Sequence, residues 1–325
     1  MFRLAIAATL AASMAAISVD CATAQTSSRT VTLIVPFPAG GPTDTIGRIL
    51  AEGLRTALDQ PVIVENVPGA TGSLGTARVA RSNADGSTLI LGTVATHVFN
   101  GAVYDLKFDV VKDFEPISLV AFDPQIISVR KDLPVADLKQ LVAWLKANPD
   151  KATAGTAGIG STAHISAVNF QQITGTKFTF VPYRGLGPAM QDLVAGQIDI
   201  IFDLAANSVP HVRSGNIKAL AVTAKTRLAS APDIPTVDQA GLPGFYFVNW
   251  HGIWAPKGTP SDVMAKLNAA MKKALADSVV LKRLADIGQQ IPPLEQQTAK
   301  ALASYQKEEI AKWWPVIKAA NVKGQ

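Results

Sequence analysis

Strands and helices alternate along the first third of the chain, and this order limits the fold more than any other feature of the sequence. Apolar runs at 31–35, 61–66 and 87–92 predict strands, and helical spacing of apolar residues predicts helices at 43–58 and 73–81. Strand–helix–strand units connect parallel strands by right-handed crossovers. The order βαβαβ therefore predicts a mostly parallel sheet with helices on both faces.

A second series of the same kind follows. A helix is predicted at 137–147, where Asn148-Pro149-Asp150 is typical of a helix stop. The series continues with strand 151–156, helix 162–174, strand 177–183, helix 188–195, strand 198–203, helix 208–214 and strand 217–223. We therefore expect a second parallel sheet. The tail adds an extended aromatic stretch at 245–256 and helices at 261–277, 279–288 and 298–319.

The two α/β halves are separated by extended chain near 115–130 and 245–256. These segments are suited to run between the halves as two crossing strands. We expect an α/β fold of two domains, 25–120 plus 250–325 and 121–249. Such a pair leaves a cleft that closes around a ligand by a hinge motion.

Residues 1–24 are predicted to be a Sec-type signal peptide. Arg3 gives a positive start, 4–17 is apolar and rich in Ala, and Ala22-Thr23-Ala24 is an A-x-A cleavage site. The apolar stretch is shorter than a membrane-spanning helix needs. Cleavage after Ala24 predicts a periplasmic protein that begins at Gln25.

Cys21 is the only cysteine, and it offers a lipid anchor as the weaker alternative to cleavage after Ala24. Asp20 precedes it, where a lipoprotein normally has a small residue. Cleavage at Ala24 would remove this thiol, so we expect no disulfide. The formal net charge is +5, but the Lys and Arg residues are scattered, with no basic stripe. Together with export, this indicates a solvated surface and no nucleic-acid partner. We also expect a monomer.

The turns after the predicted strands are the candidate binding elements, since ligands of open α/β sheets bind at the carboxyl ends of the strands. Turn 36–44 (PFPAGGPTD) and turn 155–164 (GTAGIGSTAH) each join a glycine-rich bend to a helix start. Glycine lets the backbone approach a ligand closely. A helix start presents free N–H groups and the positive end of the helix dipole. Two such turns that face each other are suited to a molecule with an anionic group at one or both ends.

Several polar residues near these turns allow two interpretations each. Ser161 and Thr162 add hydroxyl donors to the second turn. Thr71, Thr93 and Thr96 fit either ligand contacts or local helix caps.

Three further residues have side chains that can bind or simply support the fold. Asp203, at a strand end, fits a ligand contact as well as a cap for the next helix. Arg184 fits a carboxylate partner or an ordinary exposed cation. His164, one turn into a helix, is expected to be structural.

Motifs for catalysis are missing from the sequence. It contains no G-x-x-x-x-G-K-[ST] phosphate loop, and Gly155, Gly158 and Gly160 do not match the dinucleotide pattern G-x-G-x-x-G. It contains no G-x-S-x-G nucleophile motif, and the four histidines lack metal-ligand spacing. We therefore expect no catalytic residues, no metal and no cofactor, and we expect that the protein is not an enzyme.

Long stretches of the chain resemble the Bug family of periplasmic solute receptors, the TctC-like substrate-binding proteins of tripartite tricarboxylate transporters. The resemblance is carried by VTLIVPFPAGGPTDTIGRILAEGL (31–54), AGTAGIGSTAHISAVNF (154–170) and VPYRGLGPAMQDLVAGQIDIIFD (181–203), among others. It spans essentially the whole chain after residue 24. It implies a Venus flytrap of two α/β domains that binds tricarboxylates, dicarboxylates, acidic amino acids or aromatic acids.

The resemblance also implies site residues. It places one end of the ligand at the first glycine turn and the other end at 158–162, and it adds Asp203, where some members contact the ligand. With the candidates from the other turns, the expected ligand-binding set is Phe37, Ala39, Gly40, Gly41, Thr71, Thr93, Thr96, Gly158, Ser161, Thr162, Arg184 and Asp203. Thr71 departs from the family pattern, because a third glycine is common at this position of the turn. Its hydroxyl or its bulk can therefore alter the pocket.

These features predict a receptor that captures a small carboxylate and passes it to the membrane subunits of a tripartite transporter. An alternative is a receptor that docks on the periplasmic domain of a sensor kinase without transport. A remote alternative is a periplasmic enzyme. The sequence does not separate the first two.

Overall fold

The computed structural model describes residues 30–324. The predicted signal peptide 1–24 and the predicted mature start at Gln25 lie outside this range. None of the helices within residues 30–324 is long and apolar enough to cross a membrane.

The first half of the chain alternates between strands and helices as predicted. Its elements are β1 (Val31–Val35), α1 (Pro42–Leu58), β2 (Val62–Asn66), α2 (Ser73–Ala80), β3 (Thr88–Thr93), α3 (Asn100–Val103) and β4 (Phe114–Arg130). A one-turn 3₁₀ helix at Ala70–Gly72 precedes α2. A π-helical turn at Ala95–Phe99, which the sequence does not predict, leads into α3.

The second half repeats the alternation and ends in helices. Its elements are α4 (Leu138–Ala147), β5 (Thr153–Thr156), α5 (Thr162–Thr174), β6 (Thr179–Pro182), α6 (Leu186–Val194), β7 (Ile200–Leu204), α7 (Ala205–Arg213) and β8 (Ile217–Val222). The tail consists of β9 (Val248–Pro256), α8 (Ser261–Ala276), α9 (Ser278–Asp286), the 3₁₀ turn Leu294–Gln296 and α10 (Ala299–Ala319).

The strands run in the order β2-β1-β3-β9-β4-β7-β5-β6, and β8 also pairs with β4. β1 is parallel to β2 and β3, and β5 is parallel to β6 and β7. The expectation of two sheets with parallel strands is therefore confirmed, but each sheet also contains antiparallel pairs. β9 enters the first sheet antiparallel to β3, and β4 is antiparallel to β7 and β8 in the second.

β4 belongs to both sheets. Residues 114–124 pair with β9, and residues 125–130 pair with β7 and β8. Pro124, which has no N–H to donate, lies where the partners change. The predicted crossing strands are thus β4 and the segment that leads into β9. The domain boundaries at 120/121 and 249/250 stay a prediction.

Buried Thr223 joins the two crossing segments. Its backbone N–H donates to the Gln125 carbonyl at 2.9 Å, and the Phe247 N–H donates to the Thr223 carbonyl at 3.1 Å. Its hydroxyl lies 2.6 Å from the Phe247 carbonyl oxygen. The connection between the halves is therefore hydrogen-bonded from both sides.

Each half has its own apolar core. In the first, the buried face of α1, including Ile46 and Leu50, packs with Leu267 and Met271 of α8. In the second, four phenylalanines pack around α5, with ring centroids of Phe170 and Phe202 5.2 Å apart and those of Phe170 and Phe245 5.6 Å apart.

We expect Phe170→Ala to lower the free energy of unfolding by about 3–5 kcal/mol, because it removes a fully buried ring from this cluster. Ile173→Ala is the matched control on the same helix, since Ile173 is 51% exposed. It should change the free energy by less than about 0.5 kcal/mol. Urea unfolding followed by circular dichroism measures both, and equal losses would contradict this description of the core.

Candidate functional site

A cavity lies between the two halves, where the turns after several strands meet. We call it the inner chamber. Its volume is about 40 Å³. The residues that line it are Phe37, Pro38, Ala39, Gly41, Pro42, Thr43, Thr93, Ala95, Ala157, Ser161, Thr162, Gly185, Leu186, Gly187, Pro188, Leu204 and Asn249.

Three helices begin at the inner chamber. α1 begins after Gly41 and α6 after Gly185, and neither of these residues has a side chain to cap its helix. α5 begins after Ser161. A helix N-terminus carries the positive end of the helix dipole and N–H groups without intrahelical partners. These helix starts therefore favour an anion in the chamber, and none of its lining residues within 30–324 is a lysine or arginine.

The turn before α1 is held by Asp44. Its carboxylate accepts hydrogen bonds from the Gly40 N–H at 2.8 Å, Arg48 Nε at 2.9 Å and Asn66 Nδ2 at 2.9 Å. Burial raises the pKa of Asp44, but these bonds outweigh it and leave the pKa below its ordinary value. Asp44 is thus an ionised support of the turn, and it does not line the chamber.

The two halves approach each other closely at glycines. A Cβ atom on Gly185 would lie 3.1 Å from the Pro38 ring, and one on Gly187 would lie 3.9 Å from the Gly41 Cα. Pro38 and Gly41 belong to the first half, whereas Gly185 and Gly187 belong to the second. The structure therefore shows the cleft closed.

The second glycine turn is capped from within its own helix. Ser161 Oγ accepts a hydrogen bond from the His164 N–H at 3.2 Å, and His164 Nδ1 accepts one from the Gly160 N–H at 3.2 Å. Burial lowers the pKa of His164 to about 4, so the ring is neutral at pH 7. Its role here is to shape the turn, while the proton of the Ser161 hydroxyl stays free to be donated.

The floor of the inner chamber includes Asn249 on β9, which the sequence does not single out. Asn249 is 1% exposed, and its Oδ1 has no hydrogen-bond partner among residues 30–324. Its Nδ2 lies 3.4 Å from Nε2 of His251, whose pKa burial lowers to about 3. The sequence could have indicated Asn249, because residues 249 and 251 are two positions apart and therefore lie on the same face of a strand that is otherwise apolar.

A larger cavity adjoins the inner chamber and shares Phe37, Pro38, Ala157 and Pro188 with it. We call it the outer chamber. Its volume is about 810 Å³, and its other lining residues are Pro36, Pro68, Gly69, Ala70, Thr71, Gly72, Tyr104, Gly158, Ile159, Tyr183, Arg184 and Gly324. Arg184 is exposed and makes no hydrogen bond or ion pair with another residue in the range 30–324.

The expected site residues fall into three groups. Those that line the inner chamber are Phe37, Ala39, Gly41, Thr93, Ser161 and Thr162. Those that line the outer chamber are Phe37, Thr71, Gly158 and Arg184. Those that line neither are Gly40, Thr96 and Asp203.

The last three have partners inside the protein. The Gly40 N–H is taken by Asp44. Thr96 Oγ1 lies 2.9 Å from the Thr93 nitrogen and 2.9 Å from His97 Nδ1, and it supports the turn that presents Thr93. Asp203 accepts hydrogen bonds from Asn207 Nδ2 at 2.9 Å and Ser208 Oγ at 2.8 Å, so it fixes the start of α7.

Two buried carboxyl groups lie beneath the chambers, near the crossing of the strands. Burial raises the pKa of Asp203 to about 7, although the bonds from Ser208 and Asn207 act against this. Burial and the neighbouring Asp203 raise the pKa of Asp123 well above its ordinary value. The Asp123 oxygens have no partner in hydrogen-bond geometry within residues 30–324. Within the same range, no group of three or more His, Cys, Asp or Glu side chains is arranged to hold a metal ion.

Comparison with known proteins gives a family match over most of the chain. The model of the tripartite tricarboxylate transporter family receptor matches residues 46–322. A UPF0065 protein of Agrobacterium vitis is 40% identical over 294 residues, which cover 90% of this chain and 85% of the relative. Protein BugT of Bordetella pertussis is 33% identical over 299 residues, which cover 91% of this chain and 90% of BugT.

Solved structures of periplasmic binding proteins are also similar to this chain over most of its length. The periplasmic binding protein BugD has a TM-score of 0.86 at 37% identity, with 91% of this chain and 99% of BugD covered. MatC of Rhodopseudomonas palustris, solved with malate, has a TM-score of 0.85 at 40% identity, with 89% and 99% covered. A second R. palustris protein, solved with adipate, has a TM-score of 0.86 at 33% identity, with 91% and 98% covered.

The pKa of Asp203 leads to a prediction for stability against pH. The folded protein keeps this proton up to about pH 7, whereas an ordinary Asp loses it near 3.8. The stability from neutral Asp203 is therefore complete below the ordinary pKa and is lost as the pH rises through about 7. The loss is at most about 1.4 kcal/mol per pH unit for one proton.

Asp203→Asn removes this titration and keeps an oxygen that accepts from Ser208. We expect the free energy of unfolding of the variant, relative to the wild type, to increase between pH 4.5 and pH 7.5 in urea titrations. Asp233→Asn, at an exposed position, is the control and should show no such trend. A difference between Asp203→Asn and the wild type that does not vary with pH would contradict a buried protonated carboxyl group.

Proposed function

Because the chain belongs to the receptor family of the tripartite tricarboxylate transporters, which are periplasmic solute-binding proteins of the Bug type, we propose that it captures a small carboxylate between its two halves. The resemblance of the sequence to this family is thereby confirmed. The observation that carries the proposal is the convergence of three helix N-termini on one closed chamber.

The inner chamber is suited to an anion that is recognised by neutral donors. The starts of α1, α5 and α6 supply positive dipole ends, and Ser161 and Thr162 supply hydroxyls. In a closed cleft of low dielectric constant, such donors bind an anion more strongly than they would in water. The amide of Asn249 adds a buried donor or acceptor at the floor. One carboxylate of the ligand is proposed to bind here, against Gly41, Thr93, Ser161, Thr162 and Asn249.

The remainder of the ligand is proposed to lie in the outer chamber. The inner chamber, at about 40 Å³, takes one end of a metabolite, and the outer chamber adjoins it through shared lining residues. Phe37 and the shared Pro38 provide apolar contact, and Arg184, which has no ion-pair partner within residues 30–324, offers a cation to a second acidic group. This fits a dicarboxylate, and the relatives solved with malate and adipate support that ligand class.

In this proposal, the protein is a periplasmic receptor and not an enzyme. The export signal at 1–24 would deliver it to the periplasm. It would release the solute to the membrane subunits of a tripartite transporter. Release requires the halves to separate, because the closed chamber lies between them.

A thermal-shift screen tests the proposal. We expect L-malate, adipate, citrate or L-aspartate at 1 mM to raise the melting temperature, since a ligand that binds only the folded state stabilises it by mass action. The protein is first unfolded and refolded, so that a ligand retained from purification is removed. Glucose and putrescine are the controls, since neither carries a carboxylate. If no mono-, di- or tricarboxylate shifts the melting temperature, the proposed function is wrong.

Two variants test the position of the site. Thr162→Val removes a hydroxyl from the inner chamber and should weaken binding of the best ligand about 3- to 10-fold, the value of one hydrogen bond. Asn249→Leu removes the buried amide and should weaken it at least as much. Titration calorimetry measures both. Thr56→Val, on the exposed face of α1, is the matched control and should bind normally. Normal binding by both chamber variants would place the ligand elsewhere.

A further inference from the structure

Four consecutive residues of the turn before α2 have left-handed backbone conformations. Their φ values are 132° at Gly69, 44° at Ala70, 51° at Thr71 and 87° at Gly72. Glycine adopts these angles freely, whereas a β-branched residue with positive φ is rare. Such a residue costs on the order of 1–3 kcal/mol and persists only where its surroundings impose it. Thr71 keeps a β-branched side chain at this strained position, so its contacts must be identified.

The Thr71 hydroxyl reaches across the closed cleft. Its Oγ1 lies 2.8 Å from the carbonyl oxygen of Ile159, which belongs to the glycine turn of the other half. The hydroxyl of Tyr104, at the end of α3, lies 2.6 Å from the same oxygen and 2.9 Å from Thr71 Oγ1. The two hydroxyls have two protons for three contacts, so at most two of these contacts are hydrogen bonds at once. Either residue can donate to Ile159 when the other is removed.

Both hydroxyls are held in place by the first half. Fully buried Asn100 donates from Nδ2 to the Thr71 carbonyl at 3.0 Å and to Ser73 Oγ at 2.9 Å. The backbone beside Tyr104 is fixed by a hydrogen bond from the Gly324 N–H to the Val103 carbonyl at 2.9 Å. The groups are therefore positioned before they meet their partner.

The opposite turn approaches just as closely. Gly160 has φ 79°, and a Cβ atom there would lie 2.9 Å from Val103. A Cβ atom on Gly158 would lie 3.2 Å from Thr71 Oγ1. This arrangement lets the Ile159 carbonyl reach both hydroxyls, and the contact exists only while the cleft is closed.

We propose that Thr71 and Tyr104 form a latch: they are positioning residues that hold the cleft closed by hydrogen bonds to the Ile159 carbonyl. The proposal rests on the proposed capture of a solute between the halves, and it gives Thr71 a partner other than the ligand. Both residues line the outer chamber, so breaking the latch opens its wall. The latch slows the release of the ligand and has less effect on its capture, because it forms only after closure.

Stopped-flow dissociation of L-malate or adipate, whichever binds in the screen, tests the latch. Thr71→Val and Tyr104→Phe should each raise the dissociation rate about fivefold, a typical effect of one lost hydrogen bond. The double variant should raise it further, and the association rate should change less than twofold. Thr71→Ser keeps the hydroxyl and should stay within about twofold of the wild type. Thr56→Val and Tyr246→Phe are the matched controls, since both residues are outside the two chambers.

Thr71→Gly separates the latch from a local structural role. Glycine relieves the backbone strain and removes the hydroxyl. We expect faster dissociation, by about fivefold, with a melting temperature of the ligand-free protein that does not fall. A lower melting temperature together with unchanged dissociation would overturn the latch.

Small-angle X-ray scattering of the ligand-free protein gives a test that needs no ligand. The Thr71→Val/Tyr104→Phe variant should have a larger radius of gyration than the wild type, because the open form gains population. An unchanged radius together with unchanged dissociation would overturn the latch. If no carboxylate binds, the proposed function is wrong, and the scattering alone decides whether the latch exists.

Discussion

The site depends on one strand that belongs to two sheets. β4 pairs with β9 up to Pro124 and with β7 and β8 from Gln125 onwards. This hydrogen-bonding continuity fixes where the two halves meet, and Thr223 extends it to the segment before β9. Without this shared strand, nothing in these sheets would fix the helix starts of one half relative to those of the other. The chamber floor, at Asn249, lies in the same crossing region, so the proposed binding site and the connection between the halves are built from one set of strands.

The chemistry of the inner chamber follows from that placement. A receptor that must also release its ligand gains from neutral donors, because an ion pair buried on closure carries a large desolvation cost. The carboxyl groups of Asp123 and Asp203 lie deep near the same crossing, where negative charge would repel an anionic ligand. Burial raises the pKa of both, which favours their neutral forms. The neutral carboxyl groups beneath the chamber therefore do not oppose the helix dipoles at its wall, which favour an anion.

Much of this architecture was predictable from the sequence. The periodic pattern placed α5 at 162–174 as observed, and the other long elements to within a few residues. The glycine turns after strands located most of the inner chamber, because fold topology brings such turns to one edge. Strand pairing was less accessible: the apolar run of β4 does not reveal that its partners change at Pro124, since both faces are buried along most of its length.

Other features depend on contacts between residues that are distant in the chain. The π-helical turn at Ala95–Phe99 has the composition of an ordinary helix start, so the sequence gives no sign of it. Asn249 lies with His251 in a strand rich in aromatic residues, and only the three-dimensional structure shows that Asn249 lines the inner chamber. Thr71 stood out as a departure from a glycine pattern, but its partner, Ile159, is 88 residues away. Gly40, Thr96 and Asp203 lie near lining residues in the sequence, yet the Gly40 N–H, the Thr96 hydroxyl and one carboxyl oxygen of Asp203 bond to groups within the fold.

The difference in exposure between the two chambers has a consequence for the medium in which the protein works. Mobile ions screen charges in water over about 8 Å at physiological ionic strength, but they do not enter a closed cavity. Arg184 is exposed, whereas Ser161 and Asn249 are buried. In the proposed complex, salt would therefore act on the outer end of the bound acid and hardly on the inner end. In a compartment whose ion content follows the surroundings of the cell, the inner chamber would keep its hold on one carboxylate while the attraction of Arg184 for the other varies.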